Sequence, residues 1–256
     1  MHLNLSQWLI AGSAALLVGI SKTGIPGVGI LVVPILARSF GGRPSIGIML
    51  PMLIMGDVFA VAWYRRHAQW DKLVHLLPWV VAGMGIGAFA LWEFGRVSTS
   101  RDILDIVIGC LILVMLAVHL LQVLCKGRLT PKSSLGTAGT GVSAGFATTV
   151  SNAAGPIMQI YLTAHRLPKQ EFMGTIAWYF FIINVAKMPV YLLLTAINPE
   201  RPIVTGSSLT FNLELFPAIL VGVLIGKWLL SRMSQRTFDT VILILAGVAA
   251  VRLVMS

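Results

Sequence analysis

Six long apolar runs limit this chain to very few kinds of fold. They cover residues 45–64, 73–94, 103–124, 172–196, 213–230 and 238–254. Each run is close to the roughly 20 helical residues that cross a bilayer. Of the 256 residues, 57% are hydrophobic and 11% are charged. No soluble domain of this length can bury so much apolar surface, so we expect a polytopic all-α membrane protein.

Two further apolar segments are interrupted by glycine, proline and polar residues. The first interruption, residues 19–34, reads GISKTGIPGVGILVVP, and the second, residues 145–156, reads GFATTVSNAAGP. The pieces that flank the first, residues 8–20 and 28–37, would rise only about 20 Å and 15 Å as helices, which is too short for a crossing. Paired broken segments at matching positions in two halves are typical of transporter binding sites.

The two halves of the chain form a weak repeat. Asp57 and Asn184 stand seven residues before Tyr64 and Tyr191, respectively. We therefore expect two four-segment repeats, residues 1–125 and 135–256, joined by a basic linker at 126–134. Each repeat would open with a broken or re-entrant helix. A second set also repeats at one constant offset: Pro78, Gly83 and Gly87 of the first half match, in this order, Pro217, Gly222 and Gly226 of the second half.

The distribution of Lys and Arg favours broken segments that double back. Sixteen of the 19 Lys and Arg residues, all except Lys22, Lys187 and Lys227, lie between the apolar segments or near their ends. They divide ten against six between the two sides if both broken segments double back, and evenly if both cross. Only the uneven division obeys the positive-inside rule. Doubling back gives inverted repeats and places both termini outside the cytoplasm. The net charge of +10 thus reflects membrane topology, and we expect no nucleic-acid partner.

The broken segments predict an anion site in the middle of the bilayer. Non-helical backbone survives at that depth only inside protein or along a wet cavity. Gly24, Gly27 and Gly29 can adopt positive φ angles and let backbone amides approach a ligand closely, and Pro26 suits the start of a returning helix. In the second half, Ser151 or Asn152 is the expected N-cap, with Pro156 in the first turn. The free N-termini of both returning helices would attract an anion.

Several polar residues could complete this site. Burying Lys22 costs on the order of 3 kcal/mol, so the alternative is that it reaches an interface, as Lys227 at a helix end is expected to do. The hydroxyls and glycines alternatively serve tight helix packing. Asp57 could carry a coupling proton, and Lys187 could face the anion, or the two could form a structural ion pair. The predicted substrate-binding residues are Lys22, Thr23, Gly24, Gly27, Thr148, Thr149, Ser151, Asn152, Gly155, Asn184 and Lys187.

Four motifs resemble the TauE/SafE family of membrane proteins, which are described as sulfite and organosulfonate exporters. They are GISKTGIPG with VPIL (19–27 and 33–36), LP with GD and YRR (50–51, 56–57 and 64–66), AGFATTVSNAAGP (144–156) and FMGTIAWYFFIINVAK (172–187). The resemblance covers nearly the whole chain. It implies a small anionic substrate, namely a sulfite, a sulfonate or a carboxylate.

Together these features predict a secondary transporter of the bacterial inner membrane that exports a small oxyanion by alternating access. Proton coupling through Asp57 is part of the hypothesis. An anion channel with the same helix-end chemistry is the alternative. An enzyme is not expected, because the sequence shows no nucleophile–base set, metal motif or cofactor motif. The oligomeric state, including a homodimer, stays open.

Overall fold

The computed structural model describes residues 4–26, 28–96, 110, 134–234 and 237–238. Within these residues it contains eight α-helices and no strand, which confirms the all-α prediction. The runs predicted at 103–124 and 238–254, and the linker at 126–134, lie almost wholly outside the described residues. The helices are α1 (Leu5–Thr23), α2 (Val32–Phe40), α3 (Gly42–Tyr64), α4 (Trp70–Arg96), α5 (Ser134–Ser151), α6 (Gly155–Ala164), α7 (Lys169–Ile197) and α8 (Gly206–Arg232), with 3₁₀ turns at Val28–Leu31 and Arg65–His67.

Five of these helices, α1, α3, α4, α7 and α8, are long and apolar enough to cross a membrane. The inclusion of α1 corrects the prediction that its apolar piece is too short. The helix starts earlier than expected because Asn4 and Gln7 form a capping box, in which the Asn4 side chain accepts from the Gln7 N–H at 2.8 Å. It ends later because the helix continues to Thr23, whose hydroxyl lies 2.7 Å from the Val223 carbonyl of α8. The resulting 19 residues rise about 28 Å.

Glycines bring helices from the two halves of the chain into backbone contact. A Cβ atom on Gly19 of α1 would lie 2.4 Å from the Ile219 carbonyl of α8. A Cβ atom on Gly83 of α4 would lie 2.1 Å from the Val142 carbonyl of α5. Any side chain at these positions would force the helices apart, so the glycines allow α1 to pack on α8 and α4 on α5. The two halves are therefore interleaved.

Each broken segment turns back toward the end at which it begins. The Trp8 ring of α1 and the Phe40 ring of α2 both lie beside Phe211, with centroids 4.9 and 6.2 Å away. The start of α1 and the end of α2 thus meet at one end of α8. In the second half, the Tyr161 hydroxyl near the end of α6 donates to the Lys72 carbonyl at the start of α4, at 3.1 Å. The start of α4 also lies nearest the first half of α5, where Gly141 contacts the backbone of α4.

Helices α3 and α7 run antiparallel through the centre of the molecule. The side chain of Asp57 in α3 contacts Asn184 in α7 at 2.6 Å. Further along α3, the Tyr64 carbonyl approaches Gly174, which lies earlier in α7. The two breaks lie beside the midpoints of these helices. The two breaks, α3 and α7 therefore surround one cavity.

Candidate functional site

A cavity of about 60 Å³ lies between the two breaks and the midpoints of α3 and α7. One part of its wall is polar and the other is apolar. Two glycines, Gly29 and Gly155, also border it. Its polar lining residues are Ser21, Lys22, Asp57, Thr148, Asn152, Gln159 and Asn184, and its larger apolar ones are Met49, Leu53, Ile176 and Phe180.

A buried ion pair forms one side of the cavity. The Lys22 ammonium lies 2.7 Å from Asp57 Oδ1, with side-chain exposures of 9% and 0%. The other carboxylate oxygen, Oδ2, accepts from Asn184 Nδ2 at 2.6 Å, and Lys22 also lies 4.3 Å from the centroid of the Phe180 ring. Gly56 leaves room for the lysine stem, because a Cβ atom there would lie 2.9 Å from Lys22 Cγ. Lys22 is therefore buried in the cavity wall and does not reach an interface.

Of the two readings open for Asp57 and Lys187, the structure does not show the ion pair between them. The Lys187 ammonium donates to the Thr148 carbonyl at 3.1 Å, to Thr148 Oγ1 at 2.9 Å and to Asn152 Oδ1 at 2.6 Å. These three acceptors match the three protons of an ammonium group. Lys187 is fully buried and does not line the cavity. It lies behind the second break and holds it in place, so it does not face an anion there as predicted.

Three of the predicted hydroxyls are also turned away from the cavity. Thr149 and Ser151 each donate to the carbonyl four residues earlier in their own helix, at 2.8 and 2.9 Å. The Thr23 hydroxyl lies 2.7 Å from the Val223 carbonyl of α8 and 3.1 Å from the Gly19 carbonyl of its own helix. The Tyr64 hydroxyl donates to the Thr23 carbonyl at 2.8 Å, and the Tyr191 hydroxyl donates to the Thr149 carbonyl at 2.7 Å. These bonds satisfy the ends of α1 and α5 at the breaks. None of the three hydroxyls is among the cavity-lining groups.

Glycine at the first break allows close packing of neighbouring helices. Gly24 has a φ of −129°, and neither Gly24 nor Gly29 uses the positive φ that glycine allows. A Cβ atom on Gly24 would lie 2.5 Å from the Gly226 carbonyl, so this glycine packs α1 on α8 away from the cavity. Gly27 lies outside the described residues. Pro26 precedes the 3₁₀ turn Val28–Leu31 and therefore does not start α2 as expected.

The N-terminus of α6 has no side-chain cap. Its N-cap is Ala154, whereas Ser151 still belongs to α5, so the predicted caps are wrong. Asn152 adopts a left-handed φ of 56° and uses its amide to donate to the Ile46 carbonyl at 3.1 Å. Pro156 lies in the first turn of α6, as predicted. The N–H groups of Ala154 and Gly155 make no backbone hydrogen bond in the described chain, and Gly155 borders the cavity.

Sequence reasoning missed Ser21, Gln159 and the apolar wall of the cavity. Gln159 follows Gly155 by one helical turn in the largely apolar α6. Since residues four apart share a helix face, this spacing could have placed it in the site. The apolar residues gave no such signal, because membrane helices are apolar on every face. The described residues contain no group of three His, Cys, Asp or Glu side chains that could hold a metal ion.

The comparisons with known proteins identify the family. No curated protein and no solved structure matches the chain. The sequence model described as "Sulfite exporter TauE/SafE" matches residues 11–253, which is nearly the entire chain. With its five apolar helices, the protein is a multi-pass membrane protein that belongs to the TauE/SafE sulfite exporter family.

Proposed function

We propose that the protein is a secondary transporter that exports a small oxyanion, such as sulfite or a small organosulfonate, across the bacterial inner membrane. Membership of a family described as sulfite exporters supports this assignment. The observation that carries the proposal is the cavity, which is bordered by Lys22 and by the uncapped N-terminus of α6. A lysine and free helix N–H groups together favour an anion.

The size of the cavity favours a small anion. A buried water requires roughly 10–15 Å³ of such space, so 60 Å³ accommodates about four to six atoms of that size. Sulfite has four non-hydrogen atoms and methanesulfonate has five. A longer sulfonate requires the cavity to widen.

The lining residues support an inverted repeat around the cavity. Six pairs of them stand at a nearly constant separation in the sequence, 126 positions in the broken segments and 127 in α3 and α7. Since α3 and α7 run antiparallel, we infer that the two halves are inverted copies whose axis passes through the cavity. Such a repeat allows alternating access by rocking around a fixed site. The pairs are Lys22–Thr148, Pro26–Asn152, Gly29–Gly155, Met49–Ile176, Leu53–Phe180 and Asp57–Asn184.

The ion pair supports coupling to protons. Asp57 holds the ammonium of Lys22 at 2.7 Å, so an anion that binds Lys22 has to compete with this carboxylate. A proton on Asp57 removes that competition. We therefore propose that a proton and an anion bind together, with Asp57 as the coupling residue.

Transport into proteoliposomes tests the proposal. We expect sulfite flux to saturate with concentration and to be lost in Lys22→Ala, because this variant removes the cavity ammonium. Lys227→Ala is the matched control, since Lys227 lies on the exposed face of α8, over Trp63 at 4.0 Å and outside the cavity. Flux that rises linearly without saturation would contradict a transporter and favour a channel. Equal flux in both variants would remove Lys22 from the site.

A further inference from the structure

Gln159 is the one cavity-lining amide in the described chain that the fold leaves without a partner. The side chain is 3% exposed and borders the cavity, yet none of the hydrogen bonds of the described residues involves it. Other cavity amides are already used: Asn184 donates to Asp57, and Asn152 bonds to Ile46 and Lys187. The amide atoms of Gln159 are not among the fully enclosed polar atoms without a partner, so they keep surface open to the cavity, where a bound ligand or water is expected to satisfy them.

The geometry of α6 brings this amide to the end of the cavity that the N-terminus of α6 forms. Side chains in a helix lean toward its N-terminus and cover the preceding turn. The amide of Gln159 therefore lies over the first turn of α6, where the N–H of Gly155 is free. On the other side of the cavity, the Ser21 hydroxyl also has no partner. Three unused donors from two broken segments thus surround one space.

A comparison of the two halves shows that only the second half has an amide at the position of Gln159. The position that corresponds to Gln159 at the separation of 126 is Val33. Val33 is apolar, 3% exposed and does not line the cavity. The inverted-repeat architecture therefore does not require an amide at this depth, and packing is satisfied by a branched aliphatic residue in the other half.

We propose that Gln159 is a specificity-determining residue that selects polyatomic oxyanions over halides. This inference depends on the proposed anion site. An oxyanion spreads its charge over several oxygens, so one oxygen can accept from the helix N–H groups while another accepts from Gln159 Nε2. A halide is a single atom and gains less from a set of donors carried on separate elements. Removing Gln159 therefore weakens oxyanion binding more than halide binding.

Binding to the purified full-length protein in detergent tests this assignment. The probes are sodium sulfite, methanesulfonate and chloride, and the readout is the ligand-dependent shift in unfolding temperature followed by tryptophan fluorescence. In Gln159→Leu, which keeps the size but removes the amide, we expect oxyanion affinity to fall about tenfold to a hundredfold, as for a lost hydrogen bond to a charged group. We expect chloride affinity to change less than twofold. Thr163→Val is the control, because Thr163 is exposed on the same helix.

The outcomes separate this role from the proposed function. Unchanged oxyanion binding in Gln159→Leu, together with its loss in Lys22→Ala, would overturn the role of Gln159 and leave the anion site intact. An equal loss for chloride and the oxyanions would overturn the specificity. If the unaltered protein binds none of the probes, both the site and this role fail. Gln159→Asn retains the amide on a shorter side chain and is expected to bind oxyanions with intermediate affinity, which keeps the test valid if the leucine variant does not fold.

Discussion

The buried pair of Lys22 and Asp57 predicts a specific pattern of stability in a double-mutant cycle. At 2.7 Å, the gross attraction is about 6 kcal/mol for an effective dielectric constant near 20. Desolvation of the two ions offsets much of it. Removing one partner leaves the other charge buried and unpaired, so Lys22→Met and Asp57→Asn should each destabilise the fold by about 3–5 kcal/mol.

The double variant Lys22→Met/Asp57→Asn should be far more stable than the sum of the single losses implies. It contains no unpaired charge, and replacing a buried pair with apolar or neutral groups is often close to neutral. We therefore expect a coupling energy of about 3 kcal/mol or more, measured by equilibrium unfolding in mixed detergent micelles. The same variant should fail to transport sulfite although it is folded. Additive losses in the cycle would show that the two charges do not stabilise each other.

Three further predictions concern helix packing, coupling and the second break. Gly222→Ala should destabilise the protein strongly, because the added Cβ would lie 2.1 Å from a carbonyl oxygen of α1. Gly85→Ala is the control: a Cβ there has no atom within 4 Å, so the variant should be neutral or stabilising by up to about 1 kcal/mol. Thermal unfolding in detergent compares the stabilities of the two variants. Asp57→Asn should make any remaining sulfite flux insensitive to a pH gradient across proteoliposomes, and flux that still follows the gradient would contradict the coupling role. Tyr191→Phe should lower the unfolding free energy by about 1–3 kcal/mol, because the buried Thr149 carbonyl loses its 2.7 Å bond; an unchanged unfolding curve would contradict this.

The sequence was sufficient to predict the helical membrane fold and the two breaks. The correspondence of Asp57 with Asn184 stays a prediction; each stands seven residues before a tyrosine, and the two tyrosines bond to the helix ends at the two breaks in the same way. The helices and the breaks could be predicted because the length of an apolar run and the position of glycine, proline and polar residues within it are visible in the sequence. Non-helical backbone at membrane depth in turn requires a protein-lined or wet environment.

Side-chain partners could not be predicted, because they depend on how the helices cross. The pairing of Asp57 with Lys22 instead of Lys187 is decided by the approach of α1 to Gly56, some 35 positions away in the chain. The hydroxyl of Thr149 looked like a ligand and is used within its own helix. Gln159 was overlooked, although its spacing of four residues from Gly155 places both on one face of α6.

The contact between α1 and α8 also has a consequence for biosynthesis. Leu16 and Gly222, whose backbones touch, are separated by about 200 residues. At 5–20 residues synthesised per second, α1 emerges from the ribosome about 10–40 s before its partner exists. During this interval its glycine-lined surface and Lys22 have neither α8 nor, at first, α3 to cover them. The final packing of α1 therefore waits until the last fifth of the protein, which contains α8, has been synthesised.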